Sequence, residues 1–284
     1  MGARITIADL HRAKAEARRL VAVSCYDYTT AKLVAAAGVD MILVGDSAVQ
    51  VLLGFDSTLP ATMDFMVAIT AAVRRAAPEV LLVADMPFLS YQVGTSEAVK
   101  NAGRFAVEAG AQMIKIEATE TYLDVIKAVS DAGMAVMAHI GIRPQSIGKM
   151  GKLKAEATTA AMAVELVELA ERMVEAGAVS LLLEGTAAEV SEIVTANSPV
   201  PVIGCGAGPG CDGQILIVPD ILGLTEGTGP KFAKSYAQLA QPITGAINQY
   251  SADVRDGKFP DAEHSYHMKA GELDQLKRLL KDKN

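Results

Sequence analysis

Ala109-Gly-Ala-Gln-Met-Ile-Lys-Ile-Glu117 decides the fold: a helix-like stretch ends in Ala-Gly, an apolar run begins at once, and an acid closes it. Glycine just past a helix end accepts the left-handed conformation that terminates the helix. The same device stands at Ala37-Gly38, Ala132-Gly133 and Ala176-Gly177, followed within eight residues by Asp46, His139 and Glu184. Asp85 closes a further apolar run, Leu81-Leu-Val-Ala. Short apolar runs bounded by turn signals read as buried parallel strands, so these polar side chains gather at one edge of a sheet.

Working outward, further strands fall near 20–25, 81–85, 201–205 and 214–219, and helices near 29–37, 62–76, 96–109, 120–132, 157–176, 186–196 and 230–250. Eight strands alternating with helices predict one closed (β/α)8 TIM barrel over residues 1–284. Thr6 and Asp9 cap a first helix, and Leu273, Leu276, Leu279 and Leu280 put an added amphipathic helix within 268–284. The rival, an open doubly wound sheet, needs a Gly-rich turn after the first strand, and Ser24-Cys-Tyr-Asp-Tyr28 has none. Gly208-Pro-Gly-Cys-Asp-Gly213 has dinucleotide-type spacing, yet it leads into a strand and not a helix.

Composition narrows the function. A net charge of -7 argues against a sequence-independent nucleic-acid binder, and 51% hydrophobic residues with no Trp imply an aliphatic core. The N-terminal residues hold no apolar stretch long enough for a signal peptide or membrane span. Cys25, Cys205 and Cys211, an odd set without a C-x-x-C pair, suit a reducing compartment; the expectation is a cytoplasmic protein acting on small molecules.

Strand alternation sends Met113, Lys115 and Glu117 one way, and by the same parity Ile42, Val44 and Asp46 inward together. Acids crowded at one mouth repel unless a cation joins them, and oxygen ligands without a Cys or His cluster point to magnesium, with Asp46 and Asp85 as candidate ligands. A cation with open positions can chelate a 2-oxo acid and stabilise the enolate left by proton loss. Glu184, on the far side of the barrel, is the available base. Lys115 either meets the substrate's negative charge or pairs with Glu117 to brace the site. His139 is either a hydrogen-bonded structural group or a member of the site.

Taken in order, Cys25-Tyr-Asp-Tyr28, Val44-Gly-Asp-Ser47, Asp56-Ser-Thr-Leu-Pro60, Ala84-Asp-Met-Pro-Phe88, Lys115-Ile-Glu117, His139-Ile-Gly-Ile-Arg-Pro-Gln-Ser146, Leu183-Glu184, Ile203-Gly-Cys-Gly-Ala-Gly208, Asp212-Gly-Gln214, Pro230-Lys-Phe232 and Glu263-His-Ser-Tyr-His267 resemble the ketopantoate hydroxymethyltransferases, of the phosphoenolpyruvate mutase/isocitrate lyase superfamily. The resemblance implies magnesium on Asp46 and Asp85 with Glu117 close to it, substrate contacts from Ser47, Lys115 and His139, and Glu184 as the base. It also implies 3-methyl-2-oxobutanoate and 5,10-methylenetetrahydrofolate as substrates and a homo-oligomer, a decamer by resemblance. Two departures stand out: Ala48-Val49-Gln50 replaces the family's Leu-Gly after Ser47, and Gly151-Lys-Leu-Lys-Ala-Glu156 replaces its Gly-Gly-Tyr-Lys-Val/Ala-Gln-Gly segment. A lyase or mutase acting on another 2-oxo acid, or a non-catalytic metabolite-binding barrel, remain the alternatives; the Lys-Lys-Cys-Gly-His signature of isocitrate lyases is missing.

Overall fold

The structure is a computed structural model that describes residues 4–225, 227 and 229–282. Eight parallel strands close in sequence order into a barrel: β1 (Leu20–Ser24), β2 (Met41–Val44), β3 (Leu81–Asp85), β4 (Met113–Glu117), β5 (Ala135–Gly141), β6 (Ala178–Glu184), β7 (Val202–Cys205) and β8 (Gly213–Ile217). Closure is made by β1 on β8, from Leu20 opposite Gly213 to Ser24 opposite Ile217. An open sheet is excluded.

The helices come from amphipathic stretches with their own start and stop signals. Before the barrel, α1 (Ile7–Ala15) starts in a reciprocal capping box between Thr6 and Asp9. Then follow α2 (Tyr28–Ala36), α3 (Ala48–Leu53), α4 (Met63–Ala76), α5 (Thr95–Glu108) and α6 (Leu123–Asp131). After β5 come α7 (Ile147–Met150), α8 (Ala160–Glu175), α9 (Ala188–Asn197) and α10 (Val218–Leu222). Side chains of Asp27, Thr62 and Thr159 cap α2, α4 and α8. The helix-to-strand turns at Gly38, Gly110, Gly133 and Gly177 all take positive φ, as the Ala-Gly device requires.

The interior is a layered aliphatic core in which Leu20, Ala22, Met41, Leu43, Leu81, Val83, Met113, Met137, Leu182, Ile203 and Ile215 meet. Leu10 and Ala13 of α1 join that cluster, so the N-terminal helix packs against the barrel interior. This core corrects one expectation: on β2, Met41 and Leu43 face the interior, not Ile42 and Val44. Strand β2 ends at Val44, so alternation cannot be carried on to Asp46.

The chain divides into two compact units, residues 1–221 with 225–235, and residues 222–224 with 236–284. The second holds α11 (Ala240–Arg255) and α12 (Glu272–Lys281), which carries Leu273, Leu276, Leu279 and Leu280. The helix expected over 230–250 instead spans 240–255. Pro230 disfavours helix for the residue before it, and Phe232 is engaged in a cavity wall described below, which leaves 230–239 irregular.

Met113 is fully buried in the layered core. Replacing it with Ala should cost about 2–5 kcal/mol in urea unfolding, whereas Ala at the exposed Val107 should change stability by less than about 0.5 kcal/mol. Equal losses at the two positions would contradict the layered packing.

Candidate functional site

Beyond the aliphatic layers, the next inward positions are polar. Ser24, Asp85, Lys115, Glu117, His139, Glu184 and Cys205, at the C-terminal ends of six strands, line a cavity of about 570 Å³ at the barrel mouth. The register sets neighbours: Asp85 lies opposite Lys115, Glu117 opposite His139, and Glu184 opposite Cys205. Apolar side chains, among them Ile142, Ile147, Leu153 and Phe232, complete the wall.

Asp46 reaches the cavity by a turn. After Val44 the chain bends through Gly45, and the Asp46 N–H donates to Asp85 Oδ2 at 2.9 Å. Asp46 Oδ2 accepts from Gln145 Nε2 at 2.9 Å, and the same amide donates to the Met86 carbonyl. Ser47 follows on the rim, its hydroxyl 2.8 Å from that of Tyr26. Asp46 and Asp85 are thus brought together by β2 and β3, both buried.

Lys115 is buried and its Nζ lies 2.8 Å from Asp85 Oδ1. Its ion-pair partner is therefore Asp85, and Glu117 acts on it only through charge. The Glu117 oxygens instead accept from the Gln145 N–H at 3.0 Å and the Ser146 hydroxyl at 3.3 Å. Lys115 Nζ also lies 3.2 Å from His139 Nδ1. An ammonium can only donate, so Nδ1 accepts and the proton of a neutral imidazole sits on Nε2, which faces Glu184 Oε2 at 3.3 Å. Asp85, Lys115, His139 and Glu184 form one line of contacts across the mouth.

Gly141 positions its far end. With φ +100° it occupies a conformation that L side chains rarely adopt, and a Cβ there would sit 2.3 Å from the Glu184 carbonyl oxygen. That close approach lets the Ile142 N–H donate to the same oxygen at 2.8 Å and fixes the end of β6.

The electrostatics reflect too little positive charge for the buried acids. Burial pushes the Asp85 carboxyl well above the usual carboxylate range, an effect opposed by Lys115 and reinforced by Asp46. Burial likewise raises Glu117, opposed by the Gln145 N–H that donates to it and by the charge of Lys115. For Lys115, burial alone would favour the neutral amine, but Asp85, Asp46 and Glu117 overcome it and raise its pKa. Burial disfavours the thiolates: it raises Cys25 to about 11, and Cys205 and Cys211 shift the same way. All three cysteines are free.

Among the described residues, three buried side-chain atoms lack a hydrogen-bond partner: Thr58 Oγ1, Asp85 Oδ1 and His139 Nε2. Their residues all line this cavity. Near contacts to Lys115 and Glu184 are present but not aligned as hydrogen bonds, which leaves donor and acceptor capacity for a ligand. No three His, Cys, Asp or Glu side chains converge into a ready-made metal cage among the described residues. What the site offers is a carboxylate pair, and two carboxylates with the remaining positions open suit a magnesium-type ion shared with a substrate.

All the site residues expected from sequence (Asp46, Ser47, Asp85, Lys115, Glu117, His139 and Glu184) line the one cavity. Gln145 and Tyr91 were not foreseen. Gln145 ties Asp46, Glu117 and Met86 together, and the Tyr91 hydroxyl lies 2.8 Å from Gln145 Oε1 and 2.9 Å from the Glu117 carbonyl. The only signal was the place of Gln145, just beyond β5 in Arg143-Pro-Gln145.

Comparison with known proteins bears directly on this arrangement. The family profile described as ketopantoate hydroxymethyltransferase matches residues 4–262. A 3-methyl-2-oxobutanoate hydroxymethyltransferase of Hyperthermus butylicus is 47% identical over 98% of this chain and 96% of its own length. Its counterpart from Pelobacter propionicus is also 47% identical, over 94% of this chain and 99% of its own. Among solved structures, a 2,3-dimethylmalate lyase aligns with TM-score 0.60 at 19% identity, covering 99% of this chain and 94% of that one. A phosphonopyruvate hydrolase in complex with oxalate and Mg²⁺ aligns with TM-score 0.58 at 16% identity over 96% of both chains. These two share the fold.

Because Asp85 and Glu117 are raised, the folded state holds protons that the unfolded chain has released. With divalent ions chelated, the contribution of these two groups to stability should therefore be fullest below the ordinary carboxylate value of about 4 and fall as pH rises from there. Asp85→Asn should flatten this slope in urea unfolding across pH, and the same slope in both proteins would refute the assignment.

Proposed function

The chain belongs to the ketopantoate hydroxymethyltransferase family and is a one-carbon transferase, and from that premise we propose that it moves a hydroxymethyl group from 5,10-methylenetetrahydrofolate to 3-methyl-2-oxobutanoate, giving 2-dehydropantoate on the route to pantothenate. The observation that carries this reading is the line Asp85–Lys115–His139–Glu184 beside the Asp46–Asp85 pair in one cavity. It separates an ion-binding end from a base at the other end.

Asp46 and Asp85 would hold a divalent cation, magnesium by its preference for oxygen, with Glu117 adding negative charge nearby. When bound, that ion supplies electron withdrawal from the 2-oxo acid's keto and carboxylate oxygens. The rest belongs to the protein. Lys115 and the Ser47 hydroxyl meet the oxo acid's oxygens, and His139 lies beside them. Glu184 takes the proton from C3, leaving an enolate; water cleaves the donor's two C–N bonds to release tetrahydrofolate and formaldehyde, C3 attacks the formaldehyde carbon, and the resulting alkoxide takes up a proton to give the hydroxymethyl group. His139 Nε2 lies 3.3 Å from Glu184 Oε2, and the other carboxylate oxygen is left for the transferred proton.

The loop that departs from the family pattern is retained as wall. Leu153 lines the cavity, and Glu156 pairs with Arg143 at 3.2 Å and bridges in parallel to Thr186, next but one after Glu184. Such anchoring favours a catalytic site over a merely metabolite-binding barrel. We place the enzyme in the cytoplasm as a homo-oligomer, decameric by family resemblance. No helix among the described residues is long and apolar enough to cross a membrane.

Incubation with 3-methyl-2-oxobutanoate, methylenetetrahydrofolate and magnesium should give 2-dehydropantoate, with loss of turnover on chelation and recovery on adding the ion back. Absence of product with every divalent metal would defeat the reading. Glu184→Gln should slow C3 proton exchange by about 10²–10⁴ while calorimetric magnesium binding persists. Retained exchange would clear Glu184 of the base role. Light scattering of the purified protein fixes the subunit number.

A further inference from the structure

The segment from Ile147 to Lys154 is two-faced. Ile147, in the short α7, and Leu153, just past it, line the cavity, while Lys149, Lys152 and Lys154 are exposed. The turn between them is made by Gly151 at φ +68°. None of the three lysines has a carboxylate partner among the described residues, in contrast to Arg143, which Glu156 neutralises, and Lys115, which Asp85 neutralises. Three unpaired cations within six residues, in a chain of net charge -7, stand out from the surface around them.

The pattern of apolar side chains inward and cations outward describes a ligand with a flat apolar body and an anionic tail. A five-carbon oxo acid leaves most of a 570 Å³ cavity free. A reduced folate has the matching form: a pteridine and aminobenzoyl body ending in glutamate, whose γ-linked extensions each add a carboxylate. We propose that Ile147–Lys154 is the docking lip for the one-carbon donor, with Lys149, Lys152 and Lys154 reading its γ-glutamyl tail. The proposal rests on the folate-dependent reading above and adds a preference for polyglutamylated donor. Solvated lysine–carboxylate contacts are individually weak and screened by salt, so the lip acts by summed attraction and faster encounter.

The test compares mono- and pentaglutamyl forms of methylenetetrahydrofolate with wild type and with the combined variant Lys149→Gln, Lys152→Gln, Lys154→Gln. In wild type the pentaglutamyl donor should have a KM lower by about tenfold at equal kcat, an advantage that shrinks as salt rises from 50 to 300 mM. The variant should lose that advantage and keep C3 proton exchange of the oxo acid without folate, which also shows that it is folded. Equilibrium binding of mono- and pentaglutamyl tetrahydrofolate gives the same comparison without turnover. Equal affinity for both tail lengths in wild type, or an advantage that survives in the variant, overturns the lip. Failure of the hydroxymethyl transfer itself shows instead as missing product with both donors, while the binding comparison still decides the lip.

Discussion

Lys115 is the cation on which the mouth of the barrel depends. It is buried beside Asp85 and within the fields of Asp46 and Glu117, so three buried acids share one ammonium. Removing charges from water is costly, and an ion pair in the interior repays that cost only when its remaining charge is balanced. Here balance comes in two ways: a proton on the most buried acid, which the upward shift of Asp85 expresses, or a second cation beside it. The vacant hydrogen-bond capacity of Asp85 Oδ1 belongs to the same imbalance. On the proposed reading, the second cation is the divalent ion.

Such a site must be held together against its own repulsion, and Gln145 does much of the holding. Its side-chain amide nitrogen donates to Asp46 and to the Met86 carbonyl, its backbone N–H donates to Glu117, and its side-chain amide oxygen Oε1 accepts from Tyr91 and Gln92. Two of the three acids are thus braced by one residue from the loop after β5. Charge-assisted hydrogen bonds to a carboxylate are stronger than neutral ones, and fixing the oxygens lowers the cost of organising them when a ligand arrives.

The barrel and the ring of strand-end groups were legible because their signals are local. Helix, Ala-Gly turn, apolar strand and terminal acid follow one another within about thirty residues, the length of a βα unit. What was not legible depends on contacts distant in sequence. Gln145 meets Asp46 across 99 positions, and nothing near either residue announces it. The error on β2 came from extending strand parity past Val44, where Gly45 turns the chain; Asp46 enters the site as part of a loop. The misplaced start of the helix at 240 has a similar origin, since Phe232 serves a cavity wall and its segment gives up helical regularity.

The four carboxylates also differ in what each is bound to. Asp85 accepts from the Asp46 N–H and faces Lys115, Asp46 accepts from Gln145, and Glu117 accepts from Gln145 and Ser146, so each is committed to a fixed donor. The Glu184 carboxylate lies 3.3 Å from the imidazole of His139, and its side chain keeps 22% of its surface exposed. A base must gain a proton, rotate it away and lose it to water or product, which a carboxylate locked by donors does poorly. A metal-holding pair needs the opposite, oxygens that stay where they are. On the proposed reading, hydrogen bonding alone sets the ion-holding pair, from the turn after β2 and the end of β3, apart from the base on β6, before any difference in intrinsic acidity between Asp and Glu is considered.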